Sequence, residues 1–346
     1  MITKRLFCHL KDGREVHCYR ITNCYGEYVE LLDYGASIHS IVVRDRDGKM
    51  GDVVLGAEPD RLEECTYVGG TIGRCANRIA YGRFEADGKV YQLEQNLFGH
   101  FLHGASGNYA KKLFNGEIAE EENRVIFRLH DTGEGGFDCH VDAVFSFSFD
   151  DEGRLELNHQ MEGEDTTVLN PTNHAYFNLS ENLDARDHEL WIASEERVSR
   201  REMGLPNGGS IRVSGTPADF SKERSIREAM SQKEDGERYF TKELPSYDEF
   251  YLLGDRKYHH AATLRYPANG RVMKVFTDMP CLVLFTTGDR KAEEGKNGQV
   301  YEGYCAVCLE TGFVPNAVNC PQYESPVFRK GEKLSARTVY QFLTDK

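Results

Sequence analysis

Phe145-Ser146-Phe147-Ser148-Phe149 and Leu155-Glu156-Leu157-Asn158-His159-Gln160-Met161 lie on either side of a turn at Asp151-Glu152-Gly153. In both runs large side chains, all apolar but His159, recur at every second position. Successive side chains of a strand point to opposite faces, so this pattern buries one face and leaves the other polar. That is the mark of a half-buried antiparallel strand. Outward from this centre the same period returns: Val125, Phe127 and Leu129 alternate with Ile126 and Arg128, and Val339, Gln341 and Leu343 alternate with Tyr340 and Phe342. Turn residues punctuate the runs at Asp87-Gly88, Asn207-Gly208-Gly209, Asn269-Gly270 and Asn297-Gly298.

Helical signals are few. Ser221 is placed to cap a short segment in which Ile226, Ala229 and Met230 share a face, and Pro59 to Cys65 can form a turn or two. Strands do not alternate with long helices, which argues against a doubly wound sheet. The charged stretches Glu117–Glu122 and Lys291–Lys296 read as solvated hairpin tips. There is no fixed-period repeat and no Pro/Gly/Ser-rich linker. The expectation is all-β: residues 1–346 as one large antiparallel β-sandwich with few short helices.

Composition narrows the partners. With 42 basic and 56 acidic residues, the chain carries a formal charge of −14. A polyanion such as nucleic acid, or an anionic membrane, is not attracted by that balance. The N-terminal Met1-Ile2-Thr3-Lys4-Arg5-Leu6-Phe7-Cys8-His9 turns charged without an apolar leader core, and the longest strongly apolar run, Cys281 to Phe285, is too short to span a bilayer. Ten cysteines without framework spacing suit a reducing, cytoplasmic compartment, most of them acting as small buried apolar residues.

Five stretches bear on chemistry. Asn170-Pro171-Thr172-Asn173-His174-Ala175-Tyr176-Phe177-Asn178-Leu179-Ser180 holds a histidine among amides, and Pro171 keeps it from being helical. A histidine gives and takes protons near neutral pH. The glycine-rich Gly69–Arg83 fits neither phosphate-loop spacing, so Asn77 and Arg78 are read as donors to a polar ligand. Phe101-Leu102-His103-Gly104 sets a second histidine at a tight turn. Cys305-Ala306-Val307-Cys308 is a C-x-x-C within an apparent strand, Val300–Glu310; thiols three apart on a strand face opposite sides and do not chelate one metal. Glu310 closes that run before a polar loop, where desolvation makes a carboxylate a stronger base, and Asp248 is a second acid suited to hydrogen bonding.

These pieces occur in the order Asp33-Tyr34-Gly35-Ala36-Ser37-Ile38, Asp52–Gly56, Ile72–Ile79, Leu102-His103-Gly104, Asn173–Leu179, Gly215–Phe220, Leu309-Glu310-Thr311 with Pro315–Asn319, and Lys330-Gly331-Glu332. In that order and number they are similar to the aldose 1-epimerases, the galactose mutarotase family. The resemblance implies a large antiparallel β-sandwich of the galactose mutarotase type. It implies an isomerase that exchanges the α and β anomers of a free aldose such as galactose or glucose, without cofactor or metal. By resemblance Glu310 is the general base at the anomeric hydroxyl and His174 the general acid at the ring oxygen. His103 assists, while Asn77, Arg78 and Asp248 hold sugar hydroxyls and Tyr176 lines the pocket. The partner implied is a small-molecule sugar, taken up by a monomer or homodimer. Departures from the family pattern are Ala105 after Gly104, His100-Phe101 before Leu102, Gly312 after Thr311, and Val283 and Leu284 where relatives can offer a glutamine. Alternatives are an enzyme of a different or phosphorylated sugar, which needs Arg74 as well as Arg78 at the site; a glycoside hydrolase using Asp248 and Glu310; and a non-catalytic sugar-binding module.

Overall fold

The computed structural model describes residues 1–65, 67–232, 246–288 and 291–345. Nearly all regular structure is antiparallel strand, in three main sheets. The first is a meander of Ile2–His9, Glu15–Thr22, Tyr28–Leu32, Ser37–Arg44 and Met50–Asp52. The second runs, in spatial order, Asn115–Ala119, Arg124–Asp131, Val141–Phe149, Arg154–Gly163, Lys333–Thr344, Arg271–Thr277, His259–Tyr266, Glu189–Ile192 and Arg224–Ser225. The third runs Pro206–Arg212, Glu196–Arg200, Asp248–Leu252, Cys281–Thr286 and Val307–Gly312.

The central hairpin forms as its pattern requires. Phe145, Phe147 and Phe149 pair with His159, Leu157 and Leu155, and all six side chains are buried. Full burial stabilises each large apolar side chain by ~1.5–3 kcal/mol, the main drive for this register. Gly153 turns the chain at φ +70, where a Cβ would lie 2.4 Å from the Phe342 carbonyl oxygen. Asp87 and Gly88, both at positive φ, make the two-residue turn of another hairpin, Arg83–Ala86 with Lys89–Gln92. The three sheets share one core. The Tyr19 ring lies 5.4 Å from Phe127, and the Tyr340 hydroxyl donates to the Leu309 carbonyl at 3.1 Å, joining the second sheet to the third.

Several local expectations are corrected. Ser225, not Ser221, caps the α-helix Ile226–Ser231, accepting from the Glu228 N–H; Ile226, Ala229 and Met230 do form its buried face. Asn207-Gly208-Gly209 is no turn but part of the strand Pro206–Arg212, where the register against Glu196–Arg200 shifts at a bulge. On Lys333–Thr344 the inward residues include Tyr340 and Phe342, while Leu343 is exposed. The run Val300–Glu310 breaks between Val300–Tyr301 and Val307–Gly312, leaving Cys305 before the strand and Cys308 within it. Glu120–Glu122 is an exposed hairpin tip. Lys296 also stands at a hairpin tip but is buried, ion-paired to Asp52 at 2.8 Å and donating to the His39 carbonyl at 2.6 Å. Its paired charge, not solvent, compensates the desolvation. Seven of the ten cysteines are buried. Among the described residues no helix is long and apolar enough to cross a membrane.

Candidate active site

All six residues of the strand Val307–Gly312 are buried, although the strand lies at the outer side of the third sheet. The segment 170–178 covers that side. Phe177 and Val307 exchange backbone hydrogen bonds of 2.8 and 2.9 Å. At the other end the Asn170 side chain accepts from the Phe313 N–H at 2.9 Å and donates to the Phe313 carbonyl at 3.4 Å. Gly312 makes room for this clip, since a Cβ there would lie 2.8 Å from Asn170 Oδ1. Between the two clips the segments run antiparallel. Carrying the Phe177–Val307 register forward sets residue 174 opposite residue 310, and His174 Nε2 lies 3.5 Å from Glu310 Oε1.

A second set of bonds fixes His174 from behind. Its N–H donates to the Gly70 carbonyl at 2.9 Å, and its carbonyl accepts from the Gly69 N–H at 3.0 Å. Thr172-Asn173 pairs with Thr71-Ile72, and Asn173 Nδ2 donates to the Gly69 carbonyl at 2.9 Å. Asn178 Nδ2 donates to the Cys305 carbonyl at 2.7 Å. The asparagines of this stretch are thus fasteners around the histidine. The backbone of Gly69–Arg83 is likewise engaged in pairing, with Ala76 N–H donating to the Asn170 carbonyl at 2.7 Å.

Burial separates the two titrating groups. It lowers the His174 imidazole to about 4, against the smaller support of a backbone hydrogen bond and the Asp248 charge. It raises the Glu310 carboxyl to about 8, with the Asp248 charge adding to the rise and Arg78 opposing it. Around neutral pH the pair therefore holds a single proton, shared between a buried base and a buried acid.

His103 completes the group. Its ring centroid is 5.6 Å from that of His174. The Asn77 N–H donates to His103 Nδ1 at 3.1 Å, and the His103 N–H returns a bond to the Asn77 carbonyl, also at 3.1 Å. Because Nδ1 accepts, a neutral His103 carries its proton on Nε2 and presents a donor. Burial, with His174 and Arg78 adding, holds this ring well below its ordinary value. Gly104 at φ +83 allows the turn, as a Cβ would meet the Gly73 carbonyl at 2.2 Å. Arg78 donates from Nη2 to Asp248 Oδ2 at 2.9 Å and from Nη1 to Asn77 Oδ1 at 3.1 Å. Asn77, Arg78 and Asp248 are thus one connected polar network.

Cross-strand register places more residues on the face that carries Glu310. Val283 pairs directly with Glu310, and Phe285 pairs with both Asp248 and Cys308. Residues opposite one another share a face, so Val283 and Phe285 line the site. Leu284 pairs with Leu309 and joins the central core instead. Tyr176 stacks on His174 at 4.9 Å and 15°. Tyr67, which no motif marked, also lies parallel to His174, at 6.0 Å and 15°. Only the period-two facing of Cys281–Phe285 relative to Glu310 held a signal for Val283 and Phe285; Tyr67 left none. Arg74 does not reach the site. It is fully buried and paired with Asp131 at 2.7 Å, with its guanidinium 4.5 Å from the Phe137 ring centroid. The phosphorylated-sugar alternative thereby loses the residue on which it depended.

Known proteins resemble this chain over most of its length. Residues 17–341 match the family model described as Aldose 1-epimerase. The chain is 33% identical over 321 residues to the galactose mutarotase of Rattus norvegicus, covering 91% of this chain and 90% of that protein. It is 29% identical over 344 residues to the aldose 1-epimerase of Escherichia coli, covering 96% of this chain and 97% of that one. The crystal structure of a GalM/aldose epimerase homologue from C. elegans shares the fold, with a TM-score of 0.86 at 24% identity over 94% of this chain and 98% of that one. The galactose 1-epimerase structure from Lactobacillus acidophilus superposes with a TM-score of 0.83 at 24% identity, over 100% and 99% of the two chains. A family model spanning most of the sequence, and a relative one-third identical over nine-tenths of it, make this chain a member of the aldose 1-epimerase family.

Proposed function

We propose that the protein, acting as one unit over residues 1–346, interconverts the α and β anomers of a free aldose such as galactose or glucose without a cofactor. The observation that carries this reading is the buried His174–Glu310 pair, 3.5 Å apart with one proton to share. The reaction needs one proton removed and one delivered at different oxygens of the same sugar. Glu310 as carboxylate takes the proton of the anomeric hydroxyl while His174 as imidazolium protonates the ring oxygen. The C1–O5 bond breaks and an open-chain aldehyde forms. The pair is then neutral imidazole and carboxylic acid, the distribution that burial favours in the empty site. After rotation about C1–C2, the steps reverse on the other carbonyl face, and the pair returns to its starting form.

His103 donates from Nε2 at the ring oxygen or a neighbouring hydroxyl. Asn77, Arg78 and Asp248 hold further hydroxyls, and Tyr176 forms part of the wall. Holding the pyranose in place adds to the rate through orientation. Val283 gives the sugar an apolar surface beside Glu310, and so bears on which aldose is preferred. A cytoplasmic location and a monomeric or homodimeric state complete the proposal. Polarimetry of freshly dissolved α-D-galactose and α-D-glucose tests it. Relaxation faster than the buffer control is expected. Folded protein that accelerates no aldose would overturn it, and sugar binding without acceleration would leave a non-catalytic sugar-binding role.

A further inference from the structure

Tyr67 belongs to none of the sequence blocks that mark the site. Its backbone sits at φ +75, a region an aromatic residue rarely enters unless its surroundings hold it there. The bonds that hold it lead to His174. The Tyr67 carbonyl accepts from the Gly70 N–H at 3.0 Å, and the Gly70 carbonyl accepts from the His174 N–H at 2.9 Å. The Tyr67 ring then meets both histidines, parallel to His174 at 6.0 Å and tilted against His103 at 4.9 Å. Tyr176 flanks His174 as a second parallel ring at 4.9 Å, and Phe285 presents an edge-on contact at 6.0 Å. His174 therefore sits in an aromatic enclosure.

Such an enclosure acts on charge as well as position. Aromatic faces attract cations, most strongly where water is excluded. The imidazolium form of His174 faces two opposing influences, burial against it and ring faces for it. The titrating and charged groups around it are Glu310 on the strand Val307–Gly312, His103 at its turn, Arg78 on the short strand Arg78–Ile79, Asp248 on the strand Asp248–Leu252, and the two tyrosines.

We propose that Tyr67 is a positioning residue for both histidines, its ring holding the His174 imidazole in the plane that reaches Glu310 and supporting its imidazolium form. The inference rests on the anomer-exchange reading above and assigns Tyr67 a part in it. The test compares Tyr67→Leu, Tyr67→Phe and pentafluorophenylalanine at position 67, the last keeping the ring's shape while removing its attraction for cations. Two quantities are read: the NMR titration of the His174 ring in the free protein, and the pH dependence of kcat and kcat/KM by polarimetry. In Tyr67→Leu and in the fluorinated variant, His174 should titrate lower by roughly half to one pH unit and kcat should fall about tenfold, with little change in KM. Tyr67→Phe should restore both. An unmoved His174 titration in the fluorinated variant would overturn the proposal, as would an equal loss in Tyr67→Phe. The NMR titration requires no turnover, so it decides the part played by Tyr67 even if the wild-type protein fails to accelerate mutarotation.

Discussion

Glu310 is held at about 8 because its carboxylate is desolvated within a strand buried on both faces. The unfolded chain ionises this group near 4.5, so the stability it contributes is complete below that value and is lost as pH rises towards 8. Glu310→Gln removes the charge that burial opposes. We expect it to cut mutarotation about 10²–10⁴-fold, the usual worth of a positioned base. Its melting temperature should exceed that of wild type by roughly 2–4 °C at pH 8, and by less at pH 5. Polarimetry and calorimetry check the two halves. In the proposed mechanism the same pair sets the pH profile. Activity needs one shared proton, so kcat/KM should form a bell, falling below about 4 as His174 also becomes charged and above about 8 as Glu310 loses its proton. A profile flat across this range would separate the rate from this pair. At this scale the grouping of the candidate site was largely legible in the sequence: His174, Glu310, His103, Asn77, Arg78 and Asp248 stand in distinctive polar blocks, and the structure brings them together. Tyr67 was not legible, because a lone aromatic between Thr66 and Val68 has no period or motif to distinguish it from a core residue.

The segment 170–178 and the strand Val307–Gly312 bring the histidine and the carboxylate together, and Asn170 is the pin at one end. Asn170→Ala leaves the buried Phe313 N–H without its side-chain acceptor. The expected loss is ~1–3 kcal/mol of stability, with a lower kcat from the slackened His174–Glu310 spacing. Urea denaturation together with polarimetry reads both; unchanged activity would mean that the Phe177–Val307 bonds alone set the spacing. Legibility also varies by element. Strands of the second sheet have one polar face, so their period shows plainly, as at 145–161. The strand Val307–Gly312 is buried throughout, which erases the alternation and allowed residues 300–310 to be read as one strand across the break before Cys305. Lys296 misled for the opposite reason: its charge suggests water, while its partner Asp52 lies far away in sequence.

Across the whole molecule, burial keeps several imidazoles neutral. His159, His174 and His188 are each held at about 4, and His103 well below its ordinary value. The unfolded chain protonates these rings near 6.5 while the folded chain does not, so stability should fall as pH drops from about 6.5 towards 4. His159, packed edge-on against Phe145 at 5.0 Å, offers a clean probe. His159→Leu should flatten that decline by up to ~1.4 kcal/mol per pH unit, one proton's worth, in urea denaturation followed against pH. An identical decline in the variant would exclude His159 as a contributor. The cover along Val307–Gly312 has one more consequence. This strand closes one end of the third sheet, and its apolar neighbours make a bare margin there a template on which another chain could add itself. The residues that carry His174 are the ones that occupy the margin. In the proposed mechanism, chemistry and protection from aggregation therefore rest on the same stretch of backbone, and a chain that loosens it should lose turnover and gain a sticky edge in one step.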